Sequence, residues 1–249
     1  MSCKERLAVV TGGMGGIGTA ICHRLAREGA RVVATCLPAE TDRIDGWTAE
    51  MNSRGADVAV IAGDVSIAEG GAALIGEIVE KFGAVDILVN GAGITRDSSM
   101  KKMSVEQWEA VIDTNLNSVF YVTRPIWNGM IERGFGRIIN ISSINGQRGQ
   151  FGQTNYSAAK AGMHGFTMAL AYEGAAKGVT VNSVSPGYID TPMTAAMRDD
   201  MREAIISAIP MRRMGHPEEI AQAVAFLADD ESNYITGVNL PVNGGLFIH

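Results

Sequence analysis

The sequence predicts a doubly wound α/β fold, in which a parallel sheet lies between two layers of helices. Three observations predict it: short apolar runs alternate with longer helical patterns, a glycine-rich turn follows the first run, and no repeat or low-complexity tract interrupts the alternation. Strands of a parallel sheet are buried on both faces and joined by helical crossovers, so their sequences are continuous apolar runs. A chain of 249 residues, 46% hydrophobic and 19% charged, can form one such domain, and we expect a single domain over residues 1–249.

The first strand is predicted at residues 7–10, followed by the turn and by a helix that ends at Gly29. Later strands are predicted at the apolar runs 32–34, 58–61, 87–89, 138–141 and 179–184. Because crossovers between parallel strands are right-handed, the carboxyl ends of the strands meet at one edge of the sheet. Ligands of such sheets bind at that edge, so we expect functional residues where the strands end.

The composition argues against several classes of partner. A formal net charge of −6 and a pI of about 5.3 disfavour a nucleic-acid-binding or anionic-membrane surface, since either needs a basic face. No signal-peptide core or membrane-length apolar run is found in the sequence. The three cysteines, Cys3, Cys22 and Cys36, have neither metal-ligand spacing nor a paired framework. We therefore expect a reduced, cytoplasmic protein without a metal site and with no nucleic-acid or membrane partner.

Residues 11–18 form the glycine-rich turn and read Thr-Gly-Gly-Met-Gly-Gly-Ile-Gly. The apolar positions Ile21, Leu25 and Ala26 then predict an amphipathic helix. Glycines let the backbone approach a pyrophosphate closely, and the helix N-terminus offers free N–H groups and a favourable dipole. A strand before the turn and a helix after it favour a dinucleotide site over an ordinary loop.

Tyr156 and Lys160 lie four residues apart in a strongly helical segment, so their side chains share one face of a helix. A phenol has a pKa near ~10, and a fixed cation beside it favours the phenolate and lowers that pKa. The pair could therefore exchange protons with a substrate. Tyrosine and lysine also occur at this spacing by chance, so the other motifs have to decide.

The spacing Thr-Gly-x-x-x-Gly-Ile-Gly resembles that of the short-chain dehydrogenase/reductase family. Three further stretches carry the resemblance: Asp64-Val65 after the third strand, Asn90-Gly91-Ala92-Gly93 after the fourth, and Tyr156 with Lys160. Most family members read Asn-Asn-Ala-Gly in the second stretch, so Gly91 puts one sheet-stabilising side-chain contact in doubt. The resemblance covers nearly the whole chain and implies a Rossmann-type, predominantly seven-stranded parallel sheet with helices on both faces.

The resemblance also implies a catalytic set of Asn115, Ser143, Tyr156 and Lys160. Hydride would reach a ketone carbon from a nicotinamide, and the charge developing on the ketone oxygen would be met by a proton from Tyr156 and a hydrogen bond from Ser143. Lys160 would hold the ribose hydroxyls of the cofactor, and Asn115 would hold a water that resupplies protons. Ser142 is outside this set, because neighbouring side chains of a strand point to opposite faces.

The cofactor that the resemblance implies is NADPH or NADH, with NADPH slightly favoured. An acidic residue at the end of the second strand would repel a 2′-phosphate, but that place falls near Thr35-Cys36. Glu40 and Asp42 lie beside Arg43 in the next loop, so a phosphate is well received there only if Arg43 turns inward. The positions implied to bind the cofactor are Gly12, Gly13, Met14, Gly16, Ile17, Gly18, Arg43, Asp64, Val65, Asn90, Gly91, Ala92, Gly93, Tyr156, Lys160, Pro186, Gly187, Ile189 and Thr191.

Longer runs resemble the acetoacetyl-CoA reductases of polyhydroxyalkanoate synthesis, a group within that family. They include residues 93–97, 145–147, 149–157, 165–171 and 184–189, part of which lines the family's substrate cleft. The implied reaction is the NAD(P)H-dependent reduction of acetoacetyl-CoA to (R)-3-hydroxybutanoyl-CoA in polyhydroxybutyrate biosynthesis. The positions implied to bind the acyl-CoA thioester are Asp97, Lys102, Ser143, Gln150, Phe151, Gln153, Tyr188 and Arg198.

Two alternatives stay open. Reduction of 3-oxoacyl groups on acyl carrier protein uses the same chemistry and nearly the same residues. A non-catalytic nucleotide-sensing protein could share the fold, but it need not keep Ser143, Tyr156 and Lys160 together. Family members are usually homotetramers, and we expect the same assembly here.

Overall fold

The computed structural model of the chain describes residues 3–195 and 197–248. The strands are β1 Leu7–Thr11, β2 Arg31–Cys36, β3 Val58–Ala62, β4 Ile87–Asn90, β5 Gly136–Ile141, β6 Val179–Pro186 and β7 Asn239–Val242. Within the described residues they form one parallel sheet of seven strands in the order β3-β2-β1-β4-β5-β6-β7. The predicted doubly wound α/β fold is confirmed.

Helices connect the strands, as the sequence predicts. They are α1 Gly16–Arg27, α2 Ile44–Ser53, α3 Ala68–Phe82, α4 Val105–Ile112, α5 Ser118–Arg133, α6 Asn145–Arg148, α7 Thr154–Gly174, α8 Pro192–Ala195, α9 Asp199–Ala208 and α10 Pro217–Ala228. Tighter helical turns lie at Pro38–Arg43, Ala175–Lys177 and Asp230–Ser232, and a wider one lies at Asp113–Asn117. Among the described residues, no helix is long and apolar enough to cross a bilayer.

Both faces of the sheet are buried, and two neighbouring residues of β1 show this. Val10 packs in a core with side chains of α1, α2 and α10, whereas Val9 packs in a second core with side chains of α3, α5 and α7. Burying one such aliphatic side chain contributes about 1.5–3 kcal/mol relative to leaving it exposed. Because both neighbours are buried, the strand is apolar throughout rather than alternating.

The last strand is the part of the sheet that the apolar pattern does not reveal. The six predicted runs fall inside β1 to β6. In contrast, β7 reads Asn-Leu-Pro-Val, is only half-buried, and pairs with β6 at the edge of the sheet. An edge strand tolerates proline because one side needs no N–H donors. A short, half-exposed strand therefore carries little hydrophobic signal.

Candidate active site

The site lies where the order of the strands reverses. β1 pairs with β2 on one side and with β4 on the other. Strands β2 and β3 are added on the first side of β1, and strands β4 to β7 are added on the second side. A crevice opens at the carboxyl end of such a reversal, and α/β sheets bind ligands there. Thr11 ends β1 and Asn90 ends β4, the two strands on either side of this point. Ile141 ends β5, the next strand of the sheet, and Ser143 follows two residues later.

The glycine-rich turn leads from β1 into α1 and leaves backbone amides available. α1 begins at Gly16, and its N-cap Gly15 makes no side-chain capping bond, so the amides of the first turn have no partner within the helix. Gly12 has a φ of +65°, a left-handed conformation that favours glycine, and a Cβ at Gly18 would meet the carbonyl of Gly12. The turn is thus a cradle that side chains would fill, which fits a pyrophosphate.

Gly91 does not disrupt the turn after β4. The Thr11 hydroxyl accepts hydrogen bonds from the amides of Gly91 at 3.0 Å and Ala92 at 3.1 Å, which ties this turn to the end of β1. A Cβ at position 91 would lie 2.8 Å from the Thr11 carbonyl oxygen. The backbone turn therefore forms without a second asparagine.

The side chain of Asn90 is used inside the fold. It is buried, and its Nδ2 donates to Asn140 Oδ1 at 2.8 Å and to Thr123 Oγ1 at 3.4 Å. Asn140 in turn donates to Thr167 Oγ1 at 2.9 Å. This chain of bonds joins β4, β5, α5 and α7, so only the backbone of Asn90 borders the crevice.

Asn115 lies in the wider helical turn between α4 and α5. Its Nδ2 donates to the carbonyls of Ile94 at 2.9 Å and Val111 at 2.8 Å, while its buried Oδ1 has no hydrogen-bond partner among the described residues. Wider helical turns of this kind are frequent at functional sites. A Cβ on Gly93 would lie 2.5 Å from this Oδ1 and 3.5 Å from Lys160 Nζ, so Gly93 covers both groups.

Ser143, Tyr156 and Lys160 come together between the end of β5 and the first turns of α7. Lys160 Nζ donates to the Ile141 carbonyl at 2.7 Å and lies 5.6 Å from the centre of the Tyr156 ring. The hydroxyl of Ser143 hydrogen-bonds the Tyr156 side chain, which lowers the pKa of the phenol. The structure therefore places these three predicted residues in one cluster, with Asn115 next to it.

Burial has the largest effect on ionisation in this cluster. It lowers the pKa of Lys160 to about 7. Burial also raises the pKa of Tyr156; the bond from Ser143 opposes this rise and the Asp97 carboxylate adds to it. The sequence led us to expect a lowered tyrosine pKa, but the ammonium of Lys160 is directed at a backbone carbonyl and the phenol is half-buried, so the net shift of the Tyr156 pKa is upward.

Ser142 points away from this cluster, as the alternation along a strand predicts. Its hydroxyl donates to the Lys160 carbonyl at 2.8 Å and lies 2.8 Å from His164 Nε2. His164 also lies 3.3 Å from the Ser185 hydroxyl. Ser142 therefore fastens α7 to the sheet, while Ser143 faces Tyr156.

The other predicted cofactor residues lie along the same edge of the sheet. Asp64 follows β3 and accepts from the amide and hydroxyl of Ser66 at 2.9 and 2.6 Å. Thr191 lies against the glycine turn, because a Cβ on Gly16 would be 3.0 Å from its Cγ2. Arg43 is exposed and forms an ion pair with Glu40 at 2.8 Å. Of the remaining predicted positions, four are buried, namely Met14, Val65, Pro186 and Ile189, and three are half-buried, namely Ile17, Ala92 and Gly187.

The predicted substrate residues fall into an engaged group and an exposed group. Gln153 donates to Asp97 Oδ2 at 2.8 Å, and Arg198 forms an ion pair with Asp200 at 2.8 Å. Tyr188 is half-buried and borders a cavity of about 330 Å³. The exposed members are Lys102, Gln150 and Phe151, the last with 89% of its surface exposed.

Two residues of the site were not among the predicted binding or catalytic residues. Thr11 holds the turn after β4, and its place at the end of β1 was the signal that could have revealed it. Asn145 donates its backbone N–H to the Ser143 hydroxyl at 3.1 Å. No spacing rule marks Asn145, because the contact depends on how the chain turns after β5.

These groups can perform one kind of chemistry together. The glycine-rich turn, which fits a pyrophosphate, lies at the same edge of the sheet as three side chains. They are the protonated phenol of Tyr156, the hydroxyl of Ser143, which can donate a hydrogen bond, and the amine of Lys160, whose pKa is about 7. Such a set can protonate a carbonyl oxygen and stabilise its negative charge when hydride arrives at the carbon. Bound NAD(P)H would supply that hydride.

Known proteins are similar to this chain over nearly its whole length. A protein-family model described as enoyl-(acyl carrier protein) reductase matches residues 12–247. An acetoacetyl-CoA reductase of Allochromatium vinosum is 66% identical over 98% of this chain and 99% of that protein. An acetoacetyl-CoA reductase of Cupriavidus necator is 54% identical over 97% of this chain and 98% of its own. A 3-oxoacyl-[acyl-carrier-protein] reductase of Vibrio cholerae is 44% identical over 100% of both chains.

Proposed function

We propose that this chain, which belongs to the short-chain dehydrogenase/reductase family, catalyses the NAD(P)H-dependent reduction of acetoacetyl-CoA to (R)-3-hydroxybutanoyl-CoA. The observation that carries the proposal is the cluster of Ser143, Tyr156 and Lys160 beside the glycine turn. Two relatives named acetoacetyl-CoA reductase, 66% and 54% identical over nearly their whole lengths, support this substrate. We also propose that residues 1–249 act as one domain.

Each residue of the cluster has a part in this reaction. Tyr156 donates the proton to the ketone oxygen, and Ser143 donates a hydrogen bond to the same oxygen. Lys160 holds the ribose hydroxyls and, through its amine, resupplies the proton that Tyr156 gives up. The buried Oδ1 of Asn115 lies beside Lys160 and has no hydrogen-bond partner in the described part of the chain, which suits a water between the two residues.

The cofactor is NADPH by a small margin over NADH. Cys36 ends β2 where an acidic residue would bind ribose hydroxyls and repel a 2′-phosphate, so the strand end accepts either cofactor. Arg43 is the first cation that follows that strand end in the sequence, and a phosphate there has to displace Glu40 from it. The ratio of kcat/KM for the two reductants measures this preference.

Coenzyme A is favoured over acyl carrier protein as the carrier of the acyl group. The relatives named acetoacetyl-CoA reductase are 66% and 54% identical, whereas the relative named for the carrier protein is 44% identical. A non-catalytic nucleotide sensor is disfavoured, because a sensor does not need Ser143, Tyr156 and Lys160 together in one cluster. We propose that polyhydroxybutyrate biosynthesis is the pathway that consumes the (R)-3-hydroxybutanoyl-CoA product.

The protein works as a homotetramer in the cytoplasm. Phe120 on α5 and Met168 and Tyr172 on α7 expose 50%, 52% and 90% of their surfaces, which suits packing against another subunit. The cysteines Cys3, Cys22 and Cys36 are free thiols, which suits a reducing compartment. Light scattering that gives a monomer at micromolar concentration would contradict the tetramer.

Steady-state kinetics with acetoacetyl-CoA test the proposed reaction. We expect turnover with NADPH, at least about a hundredfold loss in Tyr156→Phe, and unchanged NADPH binding by that variant in a fluorescence titration. Tyr234→Phe is the matched control, because Tyr234 is 99% exposed and loses the same hydroxyl. Unchanged turnover in Tyr156→Phe, or turnover only of a carrier-protein thioester, would contradict the proposal.

A further inference from the structure

Three hydrogen bonds in series connect the loop after β4 with the hydroxyl of Ser143. Asp97 Oδ2 accepts from Gln153 Nε2 at 2.8 Å, and Gln153 Oε1 accepts from Asn145 Nδ2 at 2.9 Å. The backbone N–H of Asn145 then donates to Ser143 Oγ at 3.1 Å. The series begins on the substrate side of the crevice and ends at a group that touches the reacting oxygen in the proposed function.

The charge on Asp97 determines the direction of both amides. An ionised carboxylate has only acceptors, so Gln153 must turn its NH₂ towards Asp97 and its oxygen towards Asn145. Asn145 must in turn present its own NH₂ to Gln153. Each amide in the series therefore has one orientation: a flip of Gln153 would break both of its bonds, and a flip of Asn145 would break its bond to Gln153.

This arrangement leaves one buried polar atom of Asn145 without a partner in the described residues. Its side chain is 92% buried, from a relative exposure of 8%, and its Oδ1 has no hydrogen-bond partner within the described residues. An unpartnered buried oxygen destabilises a protein, so a residue chosen only to fill this space would be apolar. The amide is explained if its NH₂ is needed to hold the backbone of Asn145, the first residue of α6, in place.

The backbone N–H of Asn145 in turn fixes the roles of the Ser143 hydroxyl. A hydroxyl has one proton and two acceptor sites. The amide of Asn145 occupies one acceptor site, which leaves the proton and the second site for the Tyr156 side chain and a substrate carbonyl. A shift of Asn145 would therefore rotate the hydroxyl away from the oxygen it has to stabilise.

We propose that Asn145 is a positioning residue for the reduction, and that it couples Asp97, through Gln153, to the hydroxyl of Ser143. This inference rests on the proposed function and deepens it. Both ends of the Gln153 amide are engaged in the series, so Gln153 links the loop of Asp97 to Asn145 and thereby supports Ser143. The loop that carries Asp97 and the catalytic serine then form one unit.

The test compares Asn145→Ala, Gln153→Ala and the double variant. Alanine keeps the backbone N–H of residue 145, so the change reports only the loss of the side chain that holds it. We expect kcat for acetoacetyl-CoA to fall at least about tenfold in each single variant, with KM for NADPH within about twofold. Because the two residues act in series, the double variant should lose no more than Asn145→Ala alone.

A titration of the tyrosine separates positioning from general damage. Ultraviolet difference spectra against the same variant carrying Tyr156→Phe follow the ionisation of Tyr156 alone. We expect the pKa of Tyr156 to rise in Asn145→Ala, because the Ser143 bond that lowers it is loosened. Asn52→Ala, an exposed asparagine on α2, is the control and should leave kcat and the titration unchanged.

Losses of kcat that add in the double variant, or an unshifted Tyr156 titration, would overturn the inference. If Asn145→Ala does not fold, kcat and the Tyr156 titration are measured in Gln153→Ala, whose side chain is more exposed. The titration needs no substrate, so it also distinguishes the inference from the proposed function. A parent protein inactive on acetoacetyl-CoA with a shifted titration would reject the function and keep the coupling.

Discussion

We expect the buried Lys160 to lower the free energy of unfolding of the protein, and the variant Lys160→Met tests this. The amine is buried, and burial lowers its pKa from 10.5 to about 7. At ~1.36 kcal/mol per pKa unit, the difference between 10.5 and about 7 means that folding favours the neutral amine over the ammonium by about 5 kcal/mol. Methionine has a similar length and no charge. Its cost is the hydrogen bond to the Ile141 carbonyl, about 1 kcal/mol.

The sign of the pH dependence follows from proton counting. Between about pH 7 and 10.5 the unfolded chain holds a proton on Lys160 and the folded chain does not, so the parent's free energy of unfolding rises with pH. The slope approaches about 1.4 kcal/mol per pH unit. The advantage of Lys160→Met is therefore largest below pH 7 and shrinks by roughly 2–3 kcal/mol from about pH 7.5 to 9.5.

Urea unfolding at equal protein concentration measures this difference directly. The free energies of unfolding of parent and Lys160→Met are compared across that pH range, so that other titrating groups cancel. Lys81→Met is the matched control, because Lys81 is 55% exposed and pairs with Glu77 on the surface of α3. Its difference from the parent should not change with pH. A constant difference for Lys160→Met, or a less stable variant at every pH, would refute the reasoning.

Two further results are expected on the cofactor side. Gly93→Ala places a Cβ 2.5 Å from Asn115 Oδ1, so Asn115 has to shift, and kcat should fall at least about tenfold with a fall in Tm of no more than about 10 °C; full activity would contradict this placement. Glu40→Gln removes the carboxylate that pairs with Arg43 at 2.8 Å, so the ratio of kcat/KM for NADPH over NADH should rise several-fold. Asp42→Asn removes the same charge nearby and should change the ratio by less than about twofold; equal effects would reject a specific role for Glu40.

The sequence predicts the sheet well because its strands are buried on both faces. Continuous apolar runs mark β1 to β6, whereas β7, with a proline and a half-exposed surface, leaves no such run. The wider helical turn around Asn115 is also invisible in the pattern, since the polar and apolar positions of α4 and α5 continue through it. The periodicity of apolar residues indicates which faces of an element are buried. A half-exposed edge strand and one wider helical turn alter that pattern too little to be detected.

Part of the candidate site could likewise be predicted from the sequence, and part could not. Helical spacing correctly puts Tyr156 and Lys160 on one face, because i and i+4 positions are neighbours in any helix. Spacing does not tell where the amine points. Its bond to the Ile141 carbonyl and its burial depend on how closely α7 packs on β5, so the direction of the tyrosine pKa shift could not be read from the sequence.

The placement of Tyr156 depends on contacts on either side of it in the chain. Three residues before it, Gln153 is bound to Asn145, which follows β5; four residues after it, Lys160 is bound through its carbonyl to Ser142 and through its amine to Ile141. The segment that ends β5 therefore holds α7 both before and after the phenol. Because a catalytic group misplaced by about 1 Å can lose two orders of magnitude in rate, these paired contacts explain how one tyrosine on a long helix keeps its distance from Ser143.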